Sequence, residues 1–318
     1  MPTVSVRWID SAGELRQSDE SGLLESVKAE WAWVDVLDPD TATIDLLEST
    51  FDLHPLAVKD LLSPQSRAKL DIYPESIFFA WLTPRRREGD GVVVDEIDVF
   101  LGQKYLVTVH DSEVPAIAHI AQEAGKTLRS GADWTLHAII DLQVDSTMPL
   151  IDEIGEELNV IEDAMLQSPR QEDLRDLHQV RRQLVRLHRI VAPERDVLHS
   201  LARERDVVSE EAYRYFLDVA DHVARVLDSI ETYQDVGASV MDVYLSAQNN
   251  RMNEIMKQLT VVATIFMPLT LISGIYGMNL LVGMQPPPLG PWSFAIVVLA
   301  MCAIALVMSV YFRKKKWW

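Results

Sequence analysis

The feature that most constrains this chain is a long charge-free stretch near its C-terminus. Between Gln258 and Phe312 there is no Asp, Glu, Lys or Arg. Two mostly apolar segments lie inside it, Leu259–Tyr276 with 18 residues and Ser293–Phe312 with 20. At about 1.5 Å per residue, each is long enough to cross a hydrocarbon core about 30 Å thick. The sequence therefore predicts two transmembrane helices rather than two buried helices of a soluble protein.

Basic and aromatic residues directly after the second segment set the expected orientation. Arg313 and three lysines are followed by Trp317 and Trp318. Basic residues favour the cytoplasmic side and Trp favours the membrane interface, so we expect a cytoplasmic C-terminus. Two spans then return the N-terminal part to the same side, and its first residues show no signal-peptide pattern. The expected location is the cytoplasmic (inner) membrane.

The part of the chain before these segments is strongly acidic. It holds all 48 acidic residues but only 25 of the 29 basic ones, which leaves a net charge of −23. This charge argues against nucleic-acid binding and concentrates cations, although it also suits a surface that only keeps the domain soluble. No phosphate-binding loop, HExxH, GxSxG or CxxC motif occurs, so we do not expect an enzyme.

Residues 1–145 are predicted to form a cytoplasmic α/β domain. Asp40 and His54-Pro55 are helix-start signals, and Pro84–Gly91 is expected to be a loop between two strands. The predicted strands, each rich in β-branched and aromatic residues, are Thr3–Ile9, Trp31–Leu37, Ile77–Thr83, Val92–Leu101 and Tyr105–His110.

Residues 146–257 are predicted to form long helices. Thr147–Gln167 and Gln171–Glu204 have apolar residues at helical spacing and would form an antiparallel hairpin. A further helix starting at Ser209 and reaching Tyr276 would be about 100 Å long. It would project as a stalk and need partners to bury its apolar stripe, so we expect an oligomer. Residues 258–318 would be a two-span transmembrane pore domain with a short outer loop and a basic tail, which makes the chain an α+β membrane protein.

One face of the first transmembrane segment is small or weakly polar. Such residues also serve simple packing between membrane helices, so this alternative stays open. A pore would in addition explain the neutral amides of Asn253 and Asn279, which suit a fully hydrated Mg²⁺. Met256 and Leu259 could form an apolar constriction that closes by dewetting. The members of the face are Asn253, Met256, Leu259 or Thr260, Ala263, Met267, Thr270 and Gly274.

The end of this segment carries a recognisable motif. Tyr276 precedes Gly277-Met278-Asn279, and the motif closes the longer stretch Met252–Asn279. Together with Tyr215–His222 (YFLDVADH) and Met241–Ser246 (MDVYLS) in the stalk, this sequence resembles the CorA family of magnesium and other divalent-cation transport proteins. The resemblance covers the whole chain in the family's order of elements.

The resemblance implies a funnel-shaped homopentamer whose pore is lined by five copies of the first span. The expected cargo is Mg²⁺, with Co²⁺ and Ni²⁺ as further ions, while a zinc transporter and a non-conducting cation sensor are the alternatives. Asn279 would hydrogen-bond the water shell of the ion, and Asp242 would lie near the pore mouth. The implied selectivity filter is Gly277, Met278 and Asn279, the pore-lining set is Asn253, Met256, Leu259, Met267, Thr270 and Gly274, and the basic collar is Lys257, Lys314, Lys315 and Lys316.

The resemblance also implies regulation by cytosolic Mg²⁺ bound between subunits. Asp218 corresponds to the stalk ligand, and its partner is expected just after the strand that ends near Thr83. This chain has Pro84–Arg87 there, so Asp90 would have to substitute. Alternatively, Arg86 or Arg87 would pair with Asp218 and replace the ion with a salt bridge.

Overall fold

The computed structural model describes residues 2–63, 67–87, 91–167, 170–277, 292–315 and 317. The chain divides into two compact units, Met1–Val240 and Met241–Trp318. The finer division at residues 145 and 257 stays a prediction.

The first unit contains one seven-stranded sheet with the order β2-β1-β3-β7-β6-β5-β4. Strands β3 and β7 pair in parallel, and the other neighbouring strands are antiparallel. The five predicted strands are all present, and two short edge strands, β2 and β4, join them. The strands are β1 Thr3–Ile9, β2 Leu15–Ser18, β3 Trp31–Leu37, β4 Lys69–Ile72, β5 Ser76–Arg87, β6 Gly91–Gly102 and β7 Tyr105–His110.

The prediction that Pro84–Gly91 is a loop was wrong for Pro84–Arg87 and for Gly91, while residues 88–90 lie outside the described part of the chain. Pro84–Arg87 continue β5, and Arg87 pairs with Gly91 of β6. The apolar run that begins at Val92 supplies a pairing partner for these residues, and Arg85 is held across the pair by an ion pair with Asp95. Three consecutive arginines therefore lie on a strand.

Helices cover the sheet. Helix α1 is Leu23–Ser26, α2 is Thr41–Phe51 and α3 is Pro55–Leu61. The predicted start signals are confirmed, since Asp40 accepts a hydrogen bond from the Thr43 N–H at 2.9 Å and His54 Nδ1 accepts one from Leu56 at 3.2 Å. Side chains from α2 and α3 share a buried core with the sheet residues Phe78 and Phe100.

Five further helices follow the sheet, and four of them are long. They are α4 Pro115–Ser130, α5 Ala132–Gln167, α6 Gln171–Leu201, α7 Glu210–Gly277 and α8 Ser293–Lys314. The predicted hairpin is formed by α5 and α6, although α5 starts earlier than Thr147. Ser209, the predicted start of α7, donates from its N–H and its Oγ to Asp133 Oδ2 at 2.9 and 2.7 Å, which holds the beginning of α7 against α5.

Candidate ion pathway and cation-binding residues

The first transmembrane segment of α7 has one covered face. Val261 is 4% exposed, and half-buried residues recur from it at intervals of three and four. Helix α8 has a matching series that ends at the buried Phe312. Two stripes with this spacing are typical of a helix–helix contact, so we infer that α7 and α8 pack along them. The half-buried positions are Thr264, Ile265, Pro268, Leu269 and Ile272 on α7 and Val297, Met301, Ile304, Ala305, Met308 and Ser309 on α8.

The face predicted to line a pore lies opposite that stripe. At about 100° per residue, its members centre on the far side of the helix from Val261. Met256 is 54%, Leu259 62% and Met267 73% exposed. Asn253, Thr270 and Gly274 are exposed on the same face. Packing within one chain therefore leaves the small and weakly polar side of α7 free.

Hydroxyl groups along this segment are satisfied inside the helix. Thr260 Oγ1 donates to the Met256 carbonyl at 2.7 Å, and Thr270 Oγ1 donates to the Phe266 carbonyl at 2.9 Å. Bonds of this kind let threonine lie in a membrane helix without an unpaired donor.

Several residues with predicted roles have only a partial structural account. Gly277 is the last residue of α7, whereas Met278, Asn279, Asp90 and Lys316 lie outside the described residues. Lys257 and Asp242 are exposed on α7. Lys314 is the last residue of α8, and Lys315 is its C-cap. The Phe312 and Trp317 rings are 5.8 Å apart, so the tail turns back onto α8. The roles given to all of these residues stay predictions.

A cluster of possible cation ligands surrounds His222 in the first unit. Its Nδ1 lies 3.5 Å from Asp145 Oδ1 and 3.9 Å from Asp141 Oδ1 of α5, and its Nε2 lies 3.5 Å from Asp218 Oδ2. One ligand atom from each of Asp141, Asp145 and His222 can be chosen so that all three lie within 4.8 Å of one another. Carboxylate oxygens suit Mg²⁺, and an imidazole suits Co²⁺, Ni²⁺ and Zn²⁺.

Burial raises the pKa of Asp141 in this cluster. The charges of His137 and His222 oppose the rise, whereas the neighbouring Asp145 and Asp218 add to it. A bound cation would relieve the repulsion between the three carboxylates. The sequence analysis identified Asp218 but missed Asp141 and Asp145, although both pairs, Asp141/Asp145 and Asp218/His222, have the i, i+4 spacing that places two side chains on one helix face.

The arginines of β5 are paired within the chain. Arg86 Nη1 lies 3.1 Å from Glu153 Oε2, and its Nη2 bonds Glu157, one turn further along α5. These bonds raise the pKa of Arg86. Arg85 forms an ion pair with Asp95. Arg86 is therefore held by α5 and not by Asp218 of the same chain, while the side chain of Arg87 lies outside the described residues.

Comparison with known proteins places these features in a family. Residues 28–314 match the family model described as CorA-like Mg²⁺ transporter protein. The chain belongs to the CorA family. It is 35% identical to the cobalt/magnesium transport protein CorA of Thermotoga maritima, over 87% of this chain and 80% of that one. The zinc transport protein ZntB of Photorhabdus laumondii is 27% identical over 97% of this chain and 94% of its own.

The fold agrees with this assignment. The complete structure of the CorA magnesium transporter from Methanocaldococcus jannaschii matches with a TM-score of 0.87 and 24% identity, over 99% of this chain and 98% of that one. The resemblance and the predicted fold class, an α/β domain followed by long helices and two C-terminal membrane helices, are confirmed. The chain is thus a membrane protein of a divalent-metal-ion transporter superfamily, which is not a family of enzymes.

Proposed function

We propose that this protein is a homopentameric channel that carries hydrated Mg²⁺ across the cytoplasmic membrane, with both termini in the cytoplasm and with Co²⁺ and Ni²⁺ as further transported ions. The observation that carries the proposal is the uncovered face of α7, with Met256, Leu259 and Met267 exposed opposite the α8 contact. Five such faces around an axis would give a narrow pore with apolar side chains and neutral polar groups.

The selectivity filter of the proposed channel is the Gly277-Met278-Asn279 motif. Mg²⁺ gives up its water ligands reluctantly, so a filter that binds its hydration shell through neutral amides suits it. The same argument gives Asn253 a role at the cytoplasmic end of the span.

Cytosolic cations would regulate the channel at Asp141, Asp145, His222 and Asp218. A cation there neutralises carboxylates on α5 and α7 at once and so ties the two helices together. Helix α7 continues without a break into the first span, which gives the bound ion a route to the pore. Asp90 of a neighbouring subunit remains a further proposed ligand.

The test is ion uptake into proteoliposomes. Wild type is compared with Asn279→Ala and with Val262→Ala, a 53% exposed position outside the proposed pore face, and Mg²⁺ and Zn²⁺ are each offered as the ion. We expect Mg²⁺ uptake that Asn279→Ala abolishes and Val262→Ala leaves intact. Zinc uptake without magnesium uptake would favour zinc transport, the function named for the ZntB relative from Photorhabdus laumondii. No uptake of either ion by correctly inserted protein would favour a non-conducting sensor.

A further inference from the structure

A pocket with both polar and apolar lining residues lies under the N-terminus of α4 in the first unit. Its volume is about 740 Å³, within the range of small-molecule sites. Strands β1, β3 and β7 contribute Ser5, Arg7, Asp35 and His110, and α4 contributes an apolar wall that includes Ile117 and Ala118. The pocket therefore combines a polar floor with an apolar side.

Arg7 is the unusual member of this pocket. It is only 8% exposed, and its Nε and Nη1 atoms have no hydrogen-bond partner among the described residues. The guanidinium lies 5.0 Å from the Trp33 ring centroid. Burial lowers the pKa of Arg7, and the charge of Asp35 only opposes this effect. A buried cation without a hydrogen-bonded counter-charge is costly, so an anion beside it would be stabilising.

Asp35 is the carboxylate whose charge acts on Arg7, and it is already engaged by other partners. Asp35 Oδ1 accepts a hydrogen bond from Thr108 Oγ1 at 2.6 Å and lies 3.1 Å from His110 Nε2. Arg85, which also borders the pocket, is ion-paired with Asp95, and the acid at the rim, Glu113, is exposed. Arg7 is thus the cation at this site with two guanidinium nitrogens, Nε and Nη1, that have no hydrogen-bond partner within the described part of the chain.

The start of α4 adds a second set of donors. Its N-cap residue is Val114, which makes no side-chain capping bond, and Pro115 follows at the first helical position. The first N–H that bonds back within the helix is that of Ala118, to the Val114 carbonyl. The N–H groups of Ala116 and Ile117 therefore belong to the uncapped first turn, which favours negative charge.

We propose that this pocket binds a small organic anion, with Arg7 and the first turn of α4 holding its carboxylate or phosphate group and Ile117, Ala118 and Ala121 packing against its apolar part. A carboxylate and a phosphate share the chemistry that Arg7 recognises, and the apolar wall requires a carbon body beyond the charged group. The site is separate from the residues proposed for ion transport and would make the soluble domain a receptor for a metabolite.

Calorimetric titration of the full-length protein in detergent tests the proposal. The probes are butyrate and phenyl phosphate, with acetate and inorganic phosphate as counterparts that lack the apolar body, all at constant ionic strength and against a detergent blank. We expect the probes with an apolar body to bind more tightly, and their ranking identifies the carboxylate or the phosphate as the preferred group. Arg7→Gln should weaken binding about tenfold or more, because a charge-assisted hydrogen bond is lost.

Two further variants keep the test decisive. Arg16→Gln removes an exposed arginine of β2 that is paired with Asp10 and does not line the pocket. Binding should not change in this variant. Ala118→Phe places a large side chain at the apolar wall and leaves Arg7 in place, so it should abolish binding. This variant tests the pocket independently of whether Arg7→Gln folds. The proposal is wrong if wild type binds neither larger probe, or if Ala118→Phe binds them as wild type does.

Discussion

Leu259 and Val261 are two residues apart on α7 and lie on opposite faces of it. Leu259 is 62% exposed, whereas Val261 is 4% exposed. The difference shows that one side of the first span is covered within the chain and the other side is bare, and the matching stripe on α8 indicates which helix covers it. In a bilayer, the bare side must meet lipid, another subunit or an ion pathway. Its small and polar members, such as Thr270 and Gly274, suit helix packing or a pore better than lipid.

The proposed constriction predicts the effect of a polar residue at position 259. Leu259→Ser should make the constriction easier to hydrate and raise Mg²⁺ uptake several-fold at a cytosolic Mg²⁺ concentration that closes the wild type. Uptake of a fluorescently reported ion into proteoliposomes measures this. Val262→Ser makes the same kind of change away from the pore face, and equal uptake by the two variants would contradict the assignment.

The cluster around His222 predicts a change in cation regulation. Asp145→Asn should raise the Mg²⁺ concentration that half-inhibits uptake by about tenfold, because a charged ligand is lost. His222→Ala should affect inhibition by Co²⁺ more than inhibition by Mg²⁺, since imidazole is the softer ligand. Asp152→Asn, at an exposed position on α5 like Asp145, is the control. Unchanged inhibition in both Asp145→Asn and His222→Ala would remove the cluster from the mechanism.

The close approach of α5 and α7 predicts a stability effect. A Cβ added at Gly155 would overlap the ring of Tyr233, so Gly155→Ala should destabilise the protein by about 1–3 kcal/mol as that ring is displaced. Gly125→Ala in α4 meets only Leu15 at ordinary contact distance and should be neutral or stabilising by up to about 1 kcal/mol. Thermal unfolding of the two variants measures the contrast, and a Gly155→Ala protein as stable as wild type would contradict it.

A buried carboxyl group in the sheet predicts a pH dependence. Burial, reinforced by Glu96 and Asp111, raises the pKa of Asp98 to about 8. Between about pH 4 and pH 8 the folded state therefore keeps a proton that the unfolded state releases, so stability falls as pH rises through this range. Asp98→Asn removes the titration and should stabilise the protein by about 1–2 kcal/mol near pH 5 and by roughly 5 kcal/mol near pH 8, at about 1.4 kcal/mol per pKa unit.

Chemical denaturation at the two pH values measures this difference. Asp45→Asn replaces an exposed acid on α2 and serves as the control. A gain from Asp98→Asn that is equal at both pH values would show that the carboxyl group is not the titrating group.

The elements that the sequence predicted correctly are those determined by local or long uniform patterns. The charge-free segments, the long apolar stripes and the caps at Asp40 and His54 each carry their signal within a few consecutive turns. The missed strands β2 and β4 have only four residues each and depend on the neighbouring strand for their pairing. Three arginines after Pro84 suggested a loop, yet they continue β5 because their backbone pairs with β6. Acids on β6 and α5 form ion pairs with Arg85 and Arg86.

The candidate sites show the same division. Residues on one face of α7 could be grouped by their spacing alone. Asp145 and His222 are 77 positions apart in the chain and lie on different helices. The association of Arg7 with Asp35 and His110 depends on the order of strands β1, β3 and β7 in the sheet. Such contacts are tertiary, so no local pattern could have predicted them.

The threonine hydrogen bonds within α7 have a consequence for charge discrimination. Thr270 gives its only hydroxyl proton to the Phe266 carbonyl, so towards a pore it can offer only its oxygen lone pairs. The outer surface of a hydrated cation is made of water hydrogens, which need acceptors, whereas water around an anion turns its oxygen outward and needs donors. A ring of such hydroxyls in the proposed pore would therefore favour hydrated cations over hydrated anions without a single charged side chain.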